Sequence, residues 1–379
     1  MIKRRSLFAL AGLGGAAALL PAGPALADSP QPIDLPSPTV GRPVGTVSLH
    51  LVDRGRPDPF EPASGARELM VQFWYPARGT AGLARASYTT PRVAAALEGF
   101  LLMDPGTLSR IRPTAHAGAP VHPGPLPLLL FGHGRKGGRS NCTALAEELA
   151  AHGYLVAAID HTYDATAVEF PDGRVVYSSL SDDPPGNDGP DRQQIAARVG
   201  DLRFVVDELT GGRLPFRVDG GRIGVLGHSM GGAAAAEALR QDSRLRIGLD
   251  LDGGLFGSSV PELGLDRPFL LLTSLEDHDT WRRWREHHRA WGRQLRTRGT
   301  GHLSFTDLPH AAGPGHLADR LPPEVYAGLF GTLAPARATE LTRAYVRAFA
   351  DRFLRDCPAP ILDGPSPRYP EIEFRWSVQ

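Results

Sequence analysis

Six consecutive residues constrain this chain more than any other feature. Gly227-His228-Ser229-Met230-Gly231-Gly232 fits G-x-S-x-G and lies between the apolar run Ile223 to Leu226 and a small-residue stretch beginning at Gly232. A strand must turn there directly into a helix. So tight a turn needs glycine at its flanks, and Ala233 to Ala236 allow the helix to lie close on a sheet. The turn lifts the Ser229 hydroxyl clear of its neighbours and aims it at the helix N-terminus, where backbone N–H groups can stabilise a developing oxyanion. Ser229 is therefore the candidate nucleophile.

The flanking pattern agrees with a sheet that carries such a turn. Thr46 to Val52 and Glu68 to Tyr75 read as two antiparallel strands, Val93 to Met103 as a short apolar helix, and Arg112 to Pro127 as a surface excursion. Strands and helices then alternate: strand Leu128 to Phe131, helix Cys142 to His152, strand Leu155 to Ile159, helix Gln193 to Leu209, strand Ile223 to Leu226. Helix Gly232 to Arg240, strands Leu245 to Leu251 and Phe269 to Thr273, helix Thr280 to Arg296 and a last helix Ala338 to Leu354 complete the order. Short apolar runs bounded by Gly and Pro are what a mostly parallel sheet covered by helices on both faces requires. The expectation is one α/β domain over 44–379, of the α/β-hydrolase fold. Ser178 to Asp191 reads as a polar loop at or near a site.

A serine at its ordinary pKa needs a base oriented by an acid, and in this fold the chain order is Ser, acid, His. His302 follows Gly299-Thr300-Gly301 in a loop after the last long amphipathic helix, which makes it the candidate base. His310 and His316, in a Gly/Pro loop further on, are the fallback. His278, His287 and His288 lie at or within a helix whose Trp281, Trp284, His288 and Trp291 form one apolar stripe, a pattern of core packing. Asp252 and Asp277, each just beyond a strand, compete as the acid, with Asp250 a third candidate because strand alternation aims it in the same sense as Asp252. Phe131-Gly132-His133-Gly134-Arg135 ends the first parallel strand, where this fold places its second oxyanion donor. The backbone N–H groups of Arg135 and Met230 are the expected donors, and His133 reads as a structural hydrogen-bonding residue.

Acidic and basic residues balance at 41 each, so no net field would draw the chain to nucleic acid. Lys3, Arg4 and Arg5 precede the apolar stretch Leu7 to Leu20, and Ala25-Leu26-Ala27 offers small residues for cleavage. Residues 1–27 thus read as a signal peptide for secretion. Arg4-Arg5-Ser6-Leu7-Phe8 also matches a twin-arginine pattern, with an ordinary Sec signal as the alternative. Residues 28–43, rich in Pro and Ser, read as a poorly ordered leader. Export permits a Cys142–Cys357 disulfide, and the spacing of two cysteines does not decide it.

Three segments together give a resemblance. Gly227-His228-Ser229-Met230-Gly231-Gly232, Leu249-Asp250-Leu251-Asp252-Gly253 and Gly301-His302-Leu303-Ser304-Phe305-Thr306-Asp307 resemble the plasma-type platelet-activating-factor acetylhydrolases and the bacterial secreted lipases and polyester hydrolases related to them. Leu51-Val52-Asp53-Arg54 and Phe73-Trp74-Tyr75-Pro76-Ala77 are similar to that family as well. The resemblance implies a serine ester hydrolase acting without cofactor or metal, with Asp252 rather than Asp277 as the acid. It implies small-molecule or lipid esters as substrates, with short or oxidised phospholipid acyl groups the family's range. Gly253-Gly254 departs from the bulkier residues usual after that acid, which bears on the acyl pocket. Leu97 to Met103 and Val325 to Leu333 read as core, with lining of the acyl pocket or a transient lipid-surface contact as the alternative. A polyester or cutinase-like hydrolase, or a non-catalytic binder on the same fold, are the competing readings.

Overall fold

The computed structural model describes residues 31–181 and 188–379. The expected signal peptide, the start of the leader and residues 182–187 of the polar loop lie outside the described residues. The described part is built on a sheet of ten strands. In chain order these are β1 (Val44–Pro57), β2 (Ala66–Pro76), β3 (His116–Ala117), β4 (Leu126–Gly132), β5 (Leu155–Asp160), β6 (Val218–His228), β7 (Leu245–Leu251), β8 (Phe269–Thr273), β9 (Gly292–Thr297) and β10 (Ile372–Val378). Across the sheet they run β10-β9-β8-β7-β6-β4-β5-β2-β1-β3. The six central strands from β9 to β5 are mutually parallel, while β10 and the β1–β2 hairpin pair antiparallel at either side.

The pleat divides the core in two. Leu128, Leu130, Ile223, Val225, Phe269 and Leu271 face one side and pack with α3 (Asp188–Thr210), α4 (Met230–Gln241) and the tryptophans of α5 (Asp279–His287). Leu129, Phe131, Leu226, Leu249, Leu270 and Leu272 face the other, under α2 (Thr143–Ala151) and α6 (Pro335–Arg355). A third cluster joins α1 (Pro91–Leu101) to the helix Pro323–Phe330 and adjoins Leu303. Parallel strands buried on both faces explain why the apolar runs are continuous rather than alternating. The α/β-hydrolase fold is the one expected.

Two expectations are corrected and one open alternative is resolved. The segment Thr280 to Arg296 is not one helix: α5 ends at His287 and the chain returns as β9, which pairs parallel with β8 and antiparallel with β10. Trp281, Trp284, His288 and Trp291 fit a helical stripe, yet Trp291 packs on the opposite face of the sheet from Trp281 and Trp284. Arg293 also disguises the strand. Its guanidinium is buried because it reaches the carbonyls of Leu362 and Val378 at 3.2 and 2.6 Å.

The second correction concerns the leader, which is docked from residue 31 onward. Ile33–Asp34 pairs with Ile111–Arg112, Thr39 donates to Glu148 at 2.7 and 2.6 Å, and Arg343 holds the carbonyls of Pro36 and Ser37 at 2.6 and 2.9 Å. A Pro/Ser-rich run is rich in acceptors, and its partners lie far along the chain, so composition alone misled. Finally, the cysteines are free: Cys142 is buried with its thiol 3.6 Å from the Phe305 carbonyl, and Cys357 is exposed.

Candidate active site

β6 enters the turn fully hydrogen-bonded to β4 and β7, and the chain reverses at Ser229 with φ 55° and ψ −123°. Such a backbone costs about 1–3 kcal/mol in a non-glycine residue and persists only where its surroundings impose it. The surroundings do so here. Ser229 N–H donates to Leu251 O at 2.8 Å, extending the β6–β7 ladder one residue beyond the strand. A methyl on Gly231 would sit 2.1 Å from Gly132 O, and one on Gly232 1.7 Å from Asp250 Oδ1. These glycines let α4 close onto the sheet, which points the Ser229 hydroxyl outward.

β7 ends in a similar reversal at Asp252, φ 60°, whose N–H donates to Leu272 O at 2.8 Å. Its buried carboxylate takes three groups of donors. His302 Nδ1 lies 2.8 Å from Oδ2, Ser274 N–H lies 2.6 Å from Oδ1, and the Ser274 hydroxyl lies 2.9 Å from each oxygen. Burial alone would raise its pKa; the hydrogen bond and charge of His302 and the two donors of Ser274 outweigh this, and the net shift is downward. On the other side of the imidazole, Nε2 lies 3.0 Å from Ser229 Oγ. The ring keeps contact with solvent.

His302 comes from a loop, and three tethers hold it. Ser304 Oγ accepts from Gly301 N–H at 2.9 Å and donates to Phe330 O at 2.8 Å, which ties the 302–305 turn to the helix Pro323–Phe330. His228, beside Ser229, presents Nε2 at 2.8 Å from the His302 carbonyl. A carbonyl only accepts, so His228 carries its proton on that nitrogen. Burial, then the neighbouring His302, lowers its pKa to about 3 and keeps it neutral. Asp307, further along the same segment, accepts from Ala144 N–H at 3.2 Å while its own N–H donates to Asn141 O at 2.7 Å.

The remaining candidates are placed elsewhere. Asp277, the alternative acid, pairs with Arg282 and Arg285 at 3.1 Å. Asp250 points under the elbow, with Oδ1 accepting from Gly253 N–H at 2.8 Å; burial pushes its pKa well up. His310 faces Thr339 and His316 faces Asp104. His278 caps α5, and His287 and His288 bond to backbone carbonyls. His133 is fully buried, with Nδ1 2.6 Å from Gly134 O and Nε2 accepting from His161 N–H at 3.3 Å, a structural arrangement. Met230 opens α4, whose first N–H groups have no acceptor within the helix. Arg135 lies in the loop that abuts Ser229: a methyl on Gly134 would be 3.3 Å from Ser229 Cβ.

Sequence reasoning missed Ser274, the donor pair behind Asp252, although its place directly after β8, the neighbour of β7, was a usable signal. It also missed Arg198, which holds the Gly134 loop from beneath and has no local signature.

A mostly parallel sheet with a strand–turn–helix serine faced by an imidazole is an architecture that serine ester hydrolases use. Comparison with known proteins agrees. The "Platelet-activating factor acetylhydrolase, isoform II" family matches residues 66–171 and 199–318, and the chain belongs to that family. A "Probable 1-alkyl-2-acetylglycerophosphocholine esterase" of Arthroderma benhamiae is 30% identical over 269 residues, 66% of either chain. The platelet-activating factor acetylhydrolase of Cavia porcellus is 26% identical over 231 residues, 49% of this chain and 50% of that one. The chain therefore spans between half and about two thirds of these relatives. Among solved structures, a ferulic acid esterase from Streptomyces cinnamoneus superposes with a TM-score of 0.84 at 41% identity, covering 91% of this chain and 99% of that one.

Proposed function

We propose that the chain is an exported serine carboxylic-ester hydrolase, a single catalytic domain in which Ser229, His302 and Asp252 form the catalytic triad. Ser229 attacks the ester carbonyl while His302 Nε2 takes the hydroxyl proton, then returns it to the departing alcohol. Asp252 holds the ring in the Nδ1–H form and offsets the charge of the imidazolium. The backbone N–H groups of Arg135 and Met230 receive the oxyanion, and water releases the acyl group in a second pass.

The observation that carries this reading is the unbroken hydrogen-bond chain from Ser229 Oγ through both ring nitrogens to Asp252. Its substrates are short-chain or phospholipid acyl esters, supported by the family and by the named activity of the fungal relative. Phe100, Leu102, Leu303, Val325 and Tyr326 are half-buried in the cluster beside His302, apolar surface suited to an acyl chain or a transient lipid contact. A second substrate class, esters of ferulic acid, is favoured by the broad match to the Streptomyces esterase. The basic and apolar pattern of residues 1–27 supports export.

The test uses the mature protein on p-nitrophenyl esters, an acetylated phospholipid in vesicles and in monomeric form, a feruloyl ester and a polyester film. Ser229→Ala is expected to lower kcat by about 10⁴ or more on every substrate cleaved, with an unchanged Tm. Near-wild-type turnover in that variant would end the proposal.

A further inference from the structure

Beneath the Gly134 loop lies a buried ionic cluster that the mechanism above does not use. Arg198 on α3 is fully buried, with Nε and Nη2 each 2.7 Å from the two oxygens of Asp164, itself fully buried. The other edge of the same guanidinium faces the loop, where Nη1 donates to His133 O and Nη2 to Gly134 O, the latter at 3.4 Å. Gly134 O also accepts from Gly137 N–H at 2.9 Å and lies 2.6 Å from His133 Nδ1. Among the described residues, the donors to this carbonyl come from within the loop and from Arg198.

A trans peptide is planar, so the N–H of one residue points opposite to the carbonyl of the residue before it. Drawing Gly134 O inward therefore turns Arg135 N–H the other way, and fixing His133 O does the same for Gly134 N–H. Gly134 itself abuts Ser229. We infer that Arg198, with Asp164 as its counter-ion, is the positioning residue of the oxyanion loop: by holding the carbonyls of His133 and Gly134 it aims the following N–H groups at the ester oxygen bound to Ser229. This inference rests on the reading of Ser229 as the nucleophile of an ester hydrolase.

Arginine suits the task and lysine does not. A planar guanidinium binds a carboxylate along one edge and still has N–H groups for two carbonyls on another, whereas an ammonium is a point charge. Stability alone would not call for the pair, because well-packed apolar residues commonly replace a buried ion pair without loss. The neighbouring cluster supplies a contrast. Three residues further along α3, Asp201 accepts from Arg67 at 2.7 and 3.1 Å and from His161 Nδ1 at 2.9 Å, and Arg67 also reaches Asp58 at 2.7 Å. These groups join α3 to β2 and bond to neither loop carbonyl; they meet the loop at His133, through His161 N–H on Nε2 and the contact of the two rings.

The experiment measures p-nitrophenyl acetate hydrolysis per active site, counted by fluorophosphonate titration carried to completion so that misfolded protein does not enter the rate. Arg198→Lys is expected to lower kcat about 10²-fold with KM within about threefold, and to weaken a boronic-acid mimic of the tetrahedral adduct by the same factor. The paired variant Arg198→Met with Asp164→Leu leaves no orphaned charge and should fold; the same kcat loss is expected there. Arg67→Lys should lower Tm and leave kcat per titrated site unchanged. Both Arg198 variants retaining kcat within about threefold, or a loss confined to KM, would overturn the inference. Failure of the underlying reading looks different: fluorophosphonate would not titrate the wild type, or Ser229→Ala would hydrolyse the ester as fast.

Discussion

In Asp252→Asn the side chain keeps its size and loses half its acceptor capacity, and the fixed donors around it decide which half. Ser274 N–H, 2.6 Å from Oδ1, is backbone and cannot turn round, so the amide oxygen must stay there. The amide NH₂ then occupies the Oδ2 position, 2.8 Å from His302 Nδ1, and that nitrogen has to accept. The ring proton moves to Nε2, which lies 3.0 Å from Ser229 Oγ and can no longer take the hydroxyl's proton. A base held in the wrong tautomer costs about 10⁴ in kcat, or about 5.4 kcal/mol at 1.36 kcal/mol per decade. Folding responds separately. Asp252 has a folded-state pKa below its unfolded value, so it contributes stability above the unfolded pKa that is lost as pH falls through the folded one. The neutral amide forfeits that contribution at pH 7 and lowers Tm, without accounting for a rate loss among folded molecules. Steady-state hydrolysis of p-nitrophenyl acetate, normalised to folded protein, reads the effect directly. Activity within about tenfold of wild type would refute the reasoning, since some other carboxylate would then be orienting the imidazole.

Two further changes test the frame around the site. Burial holds the Asp307 carboxyl protonated up to about 8, against the N–H groups of Ala144 and Thr143 and the charge of Arg343. Its folded pKa is raised, so stability is full below the unfolded pKa and falls as pH rises towards 8, by at most about 1.4 kcal/mol per pH unit. Asp307→Asn should flatten that slope in denaturant titrations at pH 5.5, 7 and 8.5; an unchanged slope would place its origin elsewhere. Gly232→Ala would set a methyl 1.7 Å from Asp250 Oδ1 and is expected to abolish soluble folded protein, with partial recovery when Asp250→Ala is added. A Gly232→Ala single variant with wild-type Tm would show that the elbow tolerates a wider gap between α4 and β7.

What was legible in the sequence is what local chemistry dictates. A strand that turns into a helix within one residue needs glycines and a small-residue helix, and both stand at 227–236, so the turn at Ser229 could be read directly. Chain order then led to His302. The choice between Asp250 and Asp252 was harder, because alternation gives both the same sense; what separates them is the reversal at Asp252, which lifts that carboxylate past the strand end while Asp250 stays under the elbow. Other features depend on partners remote in sequence. Arg293 in β9 is buried because the chain's last strand supplies Val378 O, and the 31–43 segment is docked because Glu148 and Arg343 reach it. Neither is written in its own neighbourhood. Arg198 is the same case, one arginine among many until the fold brings two carbonyls to it.

The three residues of the proposed triad are held in two physically different ways. Ser229 and Asp252 end two adjacent hydrogen-bond ladders: His228 pairs with Leu251 in register, Ser229 N–H continues the β6–β7 ladder and Asp252 N–H the β7–β8 ladder, and each then reverses at positive φ. Their separation is a property of the sheet, and the strain of both turns is offset by close packing of α4 that cannot be relaxed piecemeal. His302 has no such ladder. Its position depends on Ser304, on the neutral ring of His228 and on the helix Pro323–Phe330 behind it. Damage to the sheet side should therefore appear as lost folding, because the turns and the core are one structure. Damage to the tethers should appear as lost kcat in a folded protein, because a loop can drift by a few tenths of an ångström at little cost while proton transfer to Nε2 cannot tolerate it.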